Sequence, residues 1–453
     1  MASSNSTKHL NLSTNHHQQL PQFQGVAAAN RRAPLGNLMS KFFKNLFYLQ
    51  FLLINILIIA LMIRGFVLIL NHHQSRNFDP EKWFLPILAS TATSAVAGLA
   101  WQLFTHWNAV RSVKAVFWVS PLLTCGAGVV LVAIGTGGSL AAGVMAVVFA
   151  VIQSLYACWV SRRFDYATRV VAASVAVTPA GTLQLVMLSI FGTFLYSCFV
   201  VAGIGGATAS GAGLLDAMFI VAMLLSLIWT MHVVKNVLLV TMSRVKHLQF
   251  TSGSNLNLNS AARDTVKHLM GSVCLGSVIV PVVGVVRGSA RAVNLVGGDT
   301  DEFLFSCASC YSGVASRFVL YGNRWGFVQV GAYNKWFVQA SMDTWESFKI
   351  TGMETLIDSD LTSSFCFLSA VAGGALSILV GGSWALVIQK DYATEISVYS
   401  FLIGYLTSRV AMVWPQSCVS AHYVAYAENP QGNRFDSTIP DRIRELQRTP
   451  VSA

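Results

Sequence analysis

Long apolar runs separated by short polar breaks dominate this chain, and their length selects the element. A segment needs about 20 apolar residues to cross a bilayer as a helix. Runs of that order fall near Asn45–Leu70, Trp83–Phe104, Ala115–Ile134, Ser139–Val160, Leu183–Gly203, Leu214–Met242, Lys267–Val286, Phe303–Leu320, Thr362–Val387 and Ile396–Tyr426. The breaks alternate in charge. Arg111 and Lys114, then Arg162, Arg163 and Arg169, then Arg244, Lys246 and Arg263 mark one set, whereas Gly135–Gly138 and Gly203–Gly213 carry no charge. Helical hairpins threading a bilayer give this alternation, with the basic breaks in the cytosol. The pattern predicts an all-α polytopic membrane protein, a bundle of about ten transmembrane helices with short loops.

Three stretches depart from the simple pattern. Residues 170–203 exceed one span and are interrupted by Pro179 and Gly181, which predicts a short amphipathic or re-entrant piece before the next span. Gly203–Gly213 reads as a flexible connection or as backbone lining a cavity. Tyr321–Leu361 mixes charges with rings, and Lys335, Gln339, Asp343 and Glu346 form one polar stripe at helical spacing. Such a stripe belongs on the bilayer surface or around a hydrated cavity between helices.

Composition agrees. Hydrophobic residues make up 54% of the 453-residue chain and charged residues 11%, against about 25% charge in soluble domains. The net charge of +11 resides in the first tail and the short loops rather than on a basic face, so nucleic acid is excluded as a partner. Residues 1–44 contain no Asp or Glu, are rich in Ser, Asn, Gln and His, and read as a disordered, basic, cytosolic tail without a cleaved signal peptide. A cytosolic tail leaves the glycosylation patterns at Asn5 and Asn11 unmodified. The membrane domain is expected over residues 45–427 and a cytosolic C-terminal tail over 428–453.

Most of the eight cysteines lie in apolar segments and read as small hydrophobic side chains. Cys307 and Cys310 form one C-x-x-C pair, which cannot supply four zinc ligands, so neither a metal nor a cofactor is expected. The chain lacks a G-x-S-x-G elbow, an H-E-x-x-H helix and a Walker A loop, and no enzyme activity is expected.

From about residue 160 to 430 the sequence resembles the choline transporter-like family of solute carriers, especially its plant and fungal branch. VVKN (Val233–Asn236), GSVCLGS (Gly271–Ser277), the region of Asn323, Tyr333, Lys335 and Phe337, TGMETLIDSDL (Thr351–Leu361) and YAENP (Tyr426–Pro430) carry the likeness, in order and at matching spacing. It departs at Ser420, where many members carry Asp, and at Asn334 and Val338, where the family often has Gly and Cys. The resemblance implies cytosolic N- and C-termini, a plasma-membrane or organellar location, and a solute carrier for choline or a related organic amine such as ethanolamine.

A quaternary ammonium has no N–H donor, so aromatic faces must hold it, each contributing about 0.5–2 kcal/mol. Trp229, Tyr321, Tyr333 and Trp336 are the expected rings, with Asn236 and Asn323 as polar partners. Asp216, His232 and Asp343 are the expected coupling or balancing groups, and proton exchange through Asp216 or His232 rests on residue type alone. Trp and Tyr also serve as interfacial anchors. A non-transporting membrane protein of lipid homeostasis or vesicle trafficking is the alternative that the departures keep open.

Overall fold

The computed structural model describes residues 26–70, 79–209, 213–297, 313, 317–432 and 435–448, and among them no strand occurs. The helices are α1 (Val26–Leu70), α2 (Pro80–Trp107), α3 (Ala109–Ile134), α4 (Gly137–Val160), α5 (Phe164–Val175), α6 (Thr182–Thr208), α7 (Leu214–Thr251) and α8 (Leu258–Asp264). A π-helical turn at Thr265–Leu269 joins α8 to α9 (Met270–Gly297). Then follow α10 (Gly326–Tyr333), α11 (Phe337–Ile350), α12 (Glu354–Asp358), α13 (Thr362–Ile388), α14 (Lys390–Ala411), α15 (Val413–Glu428) and α16 (Thr438–Arg448).

Among the described residues, eight helical segments are long and apolar enough to cross a membrane. The number is nine when α14 and α15, bent by 45° at Met412, are taken as one broken span. This agrees with the bundle of about ten read from the sequence. The expected span at Phe303–Leu320 lies outside the described residues except for Gly313 and residues 317–320.

Local chemistry fixes several boundaries. Asn108 accepts a hydrogen bond from Arg111 N and starts α3, while Gly135, in a left-handed conformation, ends it. Thr136 and Ser139 then cap α4 reciprocally. Helix α1 reaches back to Val26, so the tail expected to be disordered through residue 44 is helical over its last part. Its basic residues do not interrupt helix formation. Beyond α5 the chain turns at Pro179 and Gly181 as the interrupted pattern predicts, although α5 itself continues from α4.

The expected connection at Gly203–Gly213 is corrected over residues 203–208, and residues 210–212 lie outside the described residues. Helix α6 continues to Thr208, and its small residues are packing surface. A Cβ at Gly65 of α1 would lie 2.6 Å from Gly206 Cα, so the two backbones nearly touch.

The stretch Tyr321–Leu361 is neither one surface helix nor one span. Gly326 to Gly331 of α10 are buried against the C-terminal half of α7, and Asn334 breaks the path with φ 53°. Asn tolerates this left-handed region better than other side-chain-bearing residues. Asn334→Val is expected to lower the melting temperature of the purified protein, costing about 1–2 kcal/mol, whereas Asn334→Gly leaves it unchanged. Equal melting temperatures for the two variants would remove the conformational explanation.

Buried apolar residues form two cores stacked along the bundle. On α7, Met223, Leu227 and Met231 belong to one and Val233, Leu238 and Val245 to the other. On α14 the change falls between Leu406 and Val410. Buried polar side chains occupy that level, among them Lys235, Asn236, Thr407 and Ser408. Elsewhere α1, α4 and α6 present Leu52, Ile56, Val148, Leu155 and Leu188 outward, as a lipid-facing surface requires.

Candidate functional site

Helices α1, α6 and α7 border a half-open cavity of about 280 Å³ lined by Phe51, Ser189, Gly192, Thr193, Tyr196, Thr230, Met231 and Val234. The spacing explains the lining. Ser189, Gly192, Thr193 and Tyr196 are three and four residues apart and share one face of α6. Four rings run in a row beside it. Trp229 meets Phe47 edge-on at 5.5 Å, Phe47 and Phe51 stack at 6.0 Å, and Phe51 stacks on Tyr196 at 5.7 Å. The Ser189 and Thr193 hydroxyls donate to Leu185 O and Ile190 O, both at 2.8 Å. Tyr196 Oη and Thr230 Oγ1 are buried with no hydrogen-bond partner among the described residues, as are Trp229 Nε1 and Ser226 Oγ nearby. The cavity wall is almost wholly apolar, with the Tyr196 and Thr230 hydroxyls buried behind it, and none of its lining residues is charged.

The expected site residues do not assemble there as a group. None of them lines it; Trp229, edge-on to Phe47, immediately precedes the lining residue Thr230. His232 hydrogen-bonds through Nδ1 with Ile228 O at 2.9 Å, and Asn236 is buried, donating to Ser277 Oγ at 2.9 Å. Tyr321 is half exposed. Asn323 is a local brace, donating to Ser341 O at 2.7 Å and accepting from Gly326 N at 2.9 Å at the start of α10. Trp336 packs its ring against Gly36 of α1. Asp216 is held by Arg64 at 2.9 Å near the opposite end of α7. Asp216 and His232 lie sixteen residues apart on one helix, about 24 Å of rise, so they belong to different levels.

Tyr333 and Asp343 fall in a second cluster at the α10–α11 break. Tyr333 Oη donates to Glu428 Oε2 at 2.8 Å, and Gln329 Nε2 donates to Oε1 at 3.1 Å. His247 Nε2 also lies 2.8 Å from Oε2. Burial, then the Glu428 carboxylate, push the Tyr333 phenol well above its ordinary pKa, so it remains a donor. Lys335 Nζ bridges Gln329 Oε1 at 3.0 Å and Asp343 Oδ2 at 2.6 Å, and Gln339 Nε2 donates to Asp343 Oδ1 at 2.6 Å. The polar stripe read from the sequence is thus a hydrogen-bonded run, although Lys335 lies in the break before α11.

A third group sits where α13 begins. Arg324 and Asp360 pair at 2.6 Å with side chains 13% and 3% exposed. Asp360 Oδ1 also accepts from Thr362 N at 3.1 Å and Thr362 Oγ1 at 2.7 Å, capping α13. Tyr423 Oη reaches the same oxygen at 3.5 Å and lies 3.1 Å from Tyr166 Oη. Over that Tyr166 ring stands Arg442 of α16, at 5.3 Å, so the C-terminal helix docks onto α5.

Sequence reading missed Phe47, Phe51 and Tyr196. Phenylalanine in a span is ordinarily lipid-facing, so nothing marked the first two. The Tyr196 hydroxyl in the middle of an apolar run was the available signal.

Eight long apolar helices, with a further span broken at Met412, define a polytopic membrane protein. The chain belongs to the choline transporter-like family: residues 144–431 match the family profile described as plasma-membrane choline transporter. Protein PNS1 of Yarrowia lipolytica is 26% identical over 349 residues, 69% of this chain and 60% of that protein. Protein PNS1 of Mycosarcoma maydis is 23% identical over 239 residues, 50% and 45% of the two chains. A CTL-like protein of Dictyostelium discoideum is 22% identical over 307 residues, 65% and 54%. The matches thus cover about half of these relatives' own length. The chain is an integral, multi-pass membrane protein of a transporter family.

Proposed function

We propose that this protein carries choline or a related small amine such as ethanolamine across the membrane, with the cavity between α1, α6 and α7 as the substrate site. The observation that carries the reading is the aromatic row Trp229–Phe47–Phe51–Tyr196 beside an uncharged cavity of about 280 Å³. Methyl groups on an ammonium would lie against Phe51 and Tyr196, and a rotation of the Tyr196 or Thr230 side chain would bring its buried hydroxyl to the alcohol of choline or ethanolamine. Cation–π contacts with two or three rings, at about 0.5–2 kcal/mol each, offset part of the cation's desolvation. Of the residues expected from sequence, Trp229 serves this site; Asn236, Asn323, Tyr321, Tyr333 and Trp336 serve the surrounding helices. The breaks at Asn334 and Met412 supply the joints for alternating access, and proton exchange is the proposed coupling. The alternating basic loops favour cytosolic termini, and the family description favours the plasma membrane.

Radiolabelled choline flux into proteoliposomes, with and without a pH gradient and with ethanolamine as competitor, tests this. Wild-type protein is expected to give saturable flux. Trp229→Ala and Tyr196→Ala each lower uptake efficiency about tenfold, the scale of one lost ring. Tyr196→Phe keeps most of it, and Tyr321→Ala, outside the cavity, leaves it unchanged. Folded wild-type protein with no flux above empty liposomes for either amine would overturn the reading, and the non-transporting role in lipid homeostasis would replace it.

A further inference from the structure

The C-terminal helix is amphipathic, and its apolar face is already occupied by the bundle. In α16, Ile439, Arg442, Ile443 and Leu446 recur three and four residues apart, which sets them on one face. Ile439 is fully buried, and Ile443 and Leu446 pack against a core to which α5, α7 and α15 contribute. Arg442 is largely buried, with its guanidinium over the Tyr166 ring and Nη1 on Glu445 at 2.6 Å. Asp441, Arg444 and Glu445 are exposed on the outward face. Just before the helix, Phe435 stacks on His422 at 5.7 Å and on Phe250 at 6.1 Å, and it meets Tyr426 edge-on at 5.4 Å.

Two of these partners belong to the pairs that tie α15 to α5. Tyr423 Oη lies 3.1 Å from Tyr166 Oη, and His422 Nδ1 lies 2.9 Å from Ser174 Oγ. Arg442 covers the first pair and Phe435 the second. Helix α15 is the second half of the span broken at Met412, so the C-terminal segment is fastened across the part that a change of angle at Met412 would move. A helix of 11 residues is too short to persist alone in water, so α16 is helical only while docked. Ile439 is its one fully buried side chain among the described residues. Release therefore gives up little burial and frees the backbone, the balance that suits a segment able to detach and return.

We propose that Phe435–Arg448 is a detachable strap, and that its docking on α5, α7 and α15 holds the α14–α15 joint at its 45° bend. Release of the strap lets α15 swing at Met412. This rests on the reading of the Met412 break as a joint, and not on amines as the cargo. A native reporter stands at that joint. Cys366 of α13 is 1% exposed and donates through Sγ to Met412 O at 3.7 Å. A swing of α15 breaks this contact and uncovers the thiol.

The test follows alkylation of the full-length purified protein by N-ethylmaleimide, with the rate at each cysteine read by mass spectrometry. Cys274, buried on α9, is the internal control. Ile439→Asp puts a charge where α16 is fully buried. It is expected to raise the rate at Cys366 about tenfold or more, the scale of exposing one large apolar side chain, and to leave Cys274 unchanged. Arg442→Gln removes the charge over Tyr166 and shifts Cys366 the same way by a smaller factor. It serves where Ile439→Asp yields no folded protein. Wild-type rates at Cys366 in both variants overturn the proposal. So does an acceleration that Cys274 shares, because that is a general loosening of the bundle. No flux enters the measurement, so a protein that carries no amine would fail the transport reading and leave the strap standing.

Discussion

Gly206→Val abolishes the folded protein. At the α1–α6 crossing a Cβ on Gly206 would overlap the Leu61 carbonyl oxygen, and it would lie 2.7 Å from Leu61 C and 3.1 Å from Met62 N. All three are backbone atoms, so no rotamer change relieves the contact and the helices must separate. Gly205, one residue earlier, is enclosed as tightly by the rings of Phe84 and Trp83 on α2. Separation would therefore loosen α6 from two neighbours at once. Overpacking a core by extra methylenes costs about 1–3 kcal/mol, and a clash between backbones that spreads over a helix pair exceeds that range. The expected result is loss of the monodisperse peak in size-exclusion chromatography. Gly192→Ala is the control, because a Cβ there meets nothing within 4 Å. A Gly206→Val protein with wild-type yield and melting temperature would remove the close crossing from the account.

The same crossing shows where sequence reading succeeds in this chain and where it stops. Apolar run length located the spans because bilayer thickness imposes it, and little else in the chain competes with that signal. Gly203–Gly213 was misread because glycine and alanine signify loops in water, whereas between membrane helices they allow contact. The Asn334 break was hidden inside a regular polar stripe, since periodicity records side-chain spacing and not a single residue with positive φ. In the site, Trp229 stood out as a polar-edged ring on a span with other polar groups. Phe47 and Phe51 did not, because their value comes from Tyr196 on another helix, about 150 residues away in sequence. Charge partners were equally illegible. Nothing local links Arg64 to Asp216 or Arg324 to Asp360, and only the fold brings each pair together.

Asp360→Asn is expected to destabilise the protein far more than Arg324→Met, although both break the same ion pair. Asparagine keeps an acceptor oxygen for Thr362 N and Thr362 Oγ1, so the cap on α13 survives the change. What disappears is the carboxylate that pairs with Arg324 at 2.6 Å. The largely buried guanidinium then lacks its counter-charge, and the loss is expected at about 3–5 kcal/mol, the range for breaking a buried pair. Arg324→Met removes the charge that needs a partner. It leaves Asp360 with the hydrogen bonds of Thr362 and Tyr423. Its expected cost is about 1–3 kcal/mol, that of one lost hydrogen bond to a charged group. The two changes are in contact and should not add. Arg324→Met introduced into the Asp360→Asn protein is expected to recover part of its melting temperature. Melting temperatures of the four proteins of this cycle decide the matter. If Asp360→Asn melts with the wild type, or if the double variant melts below both singles, the Arg324 charge is not what Asp360 holds in check.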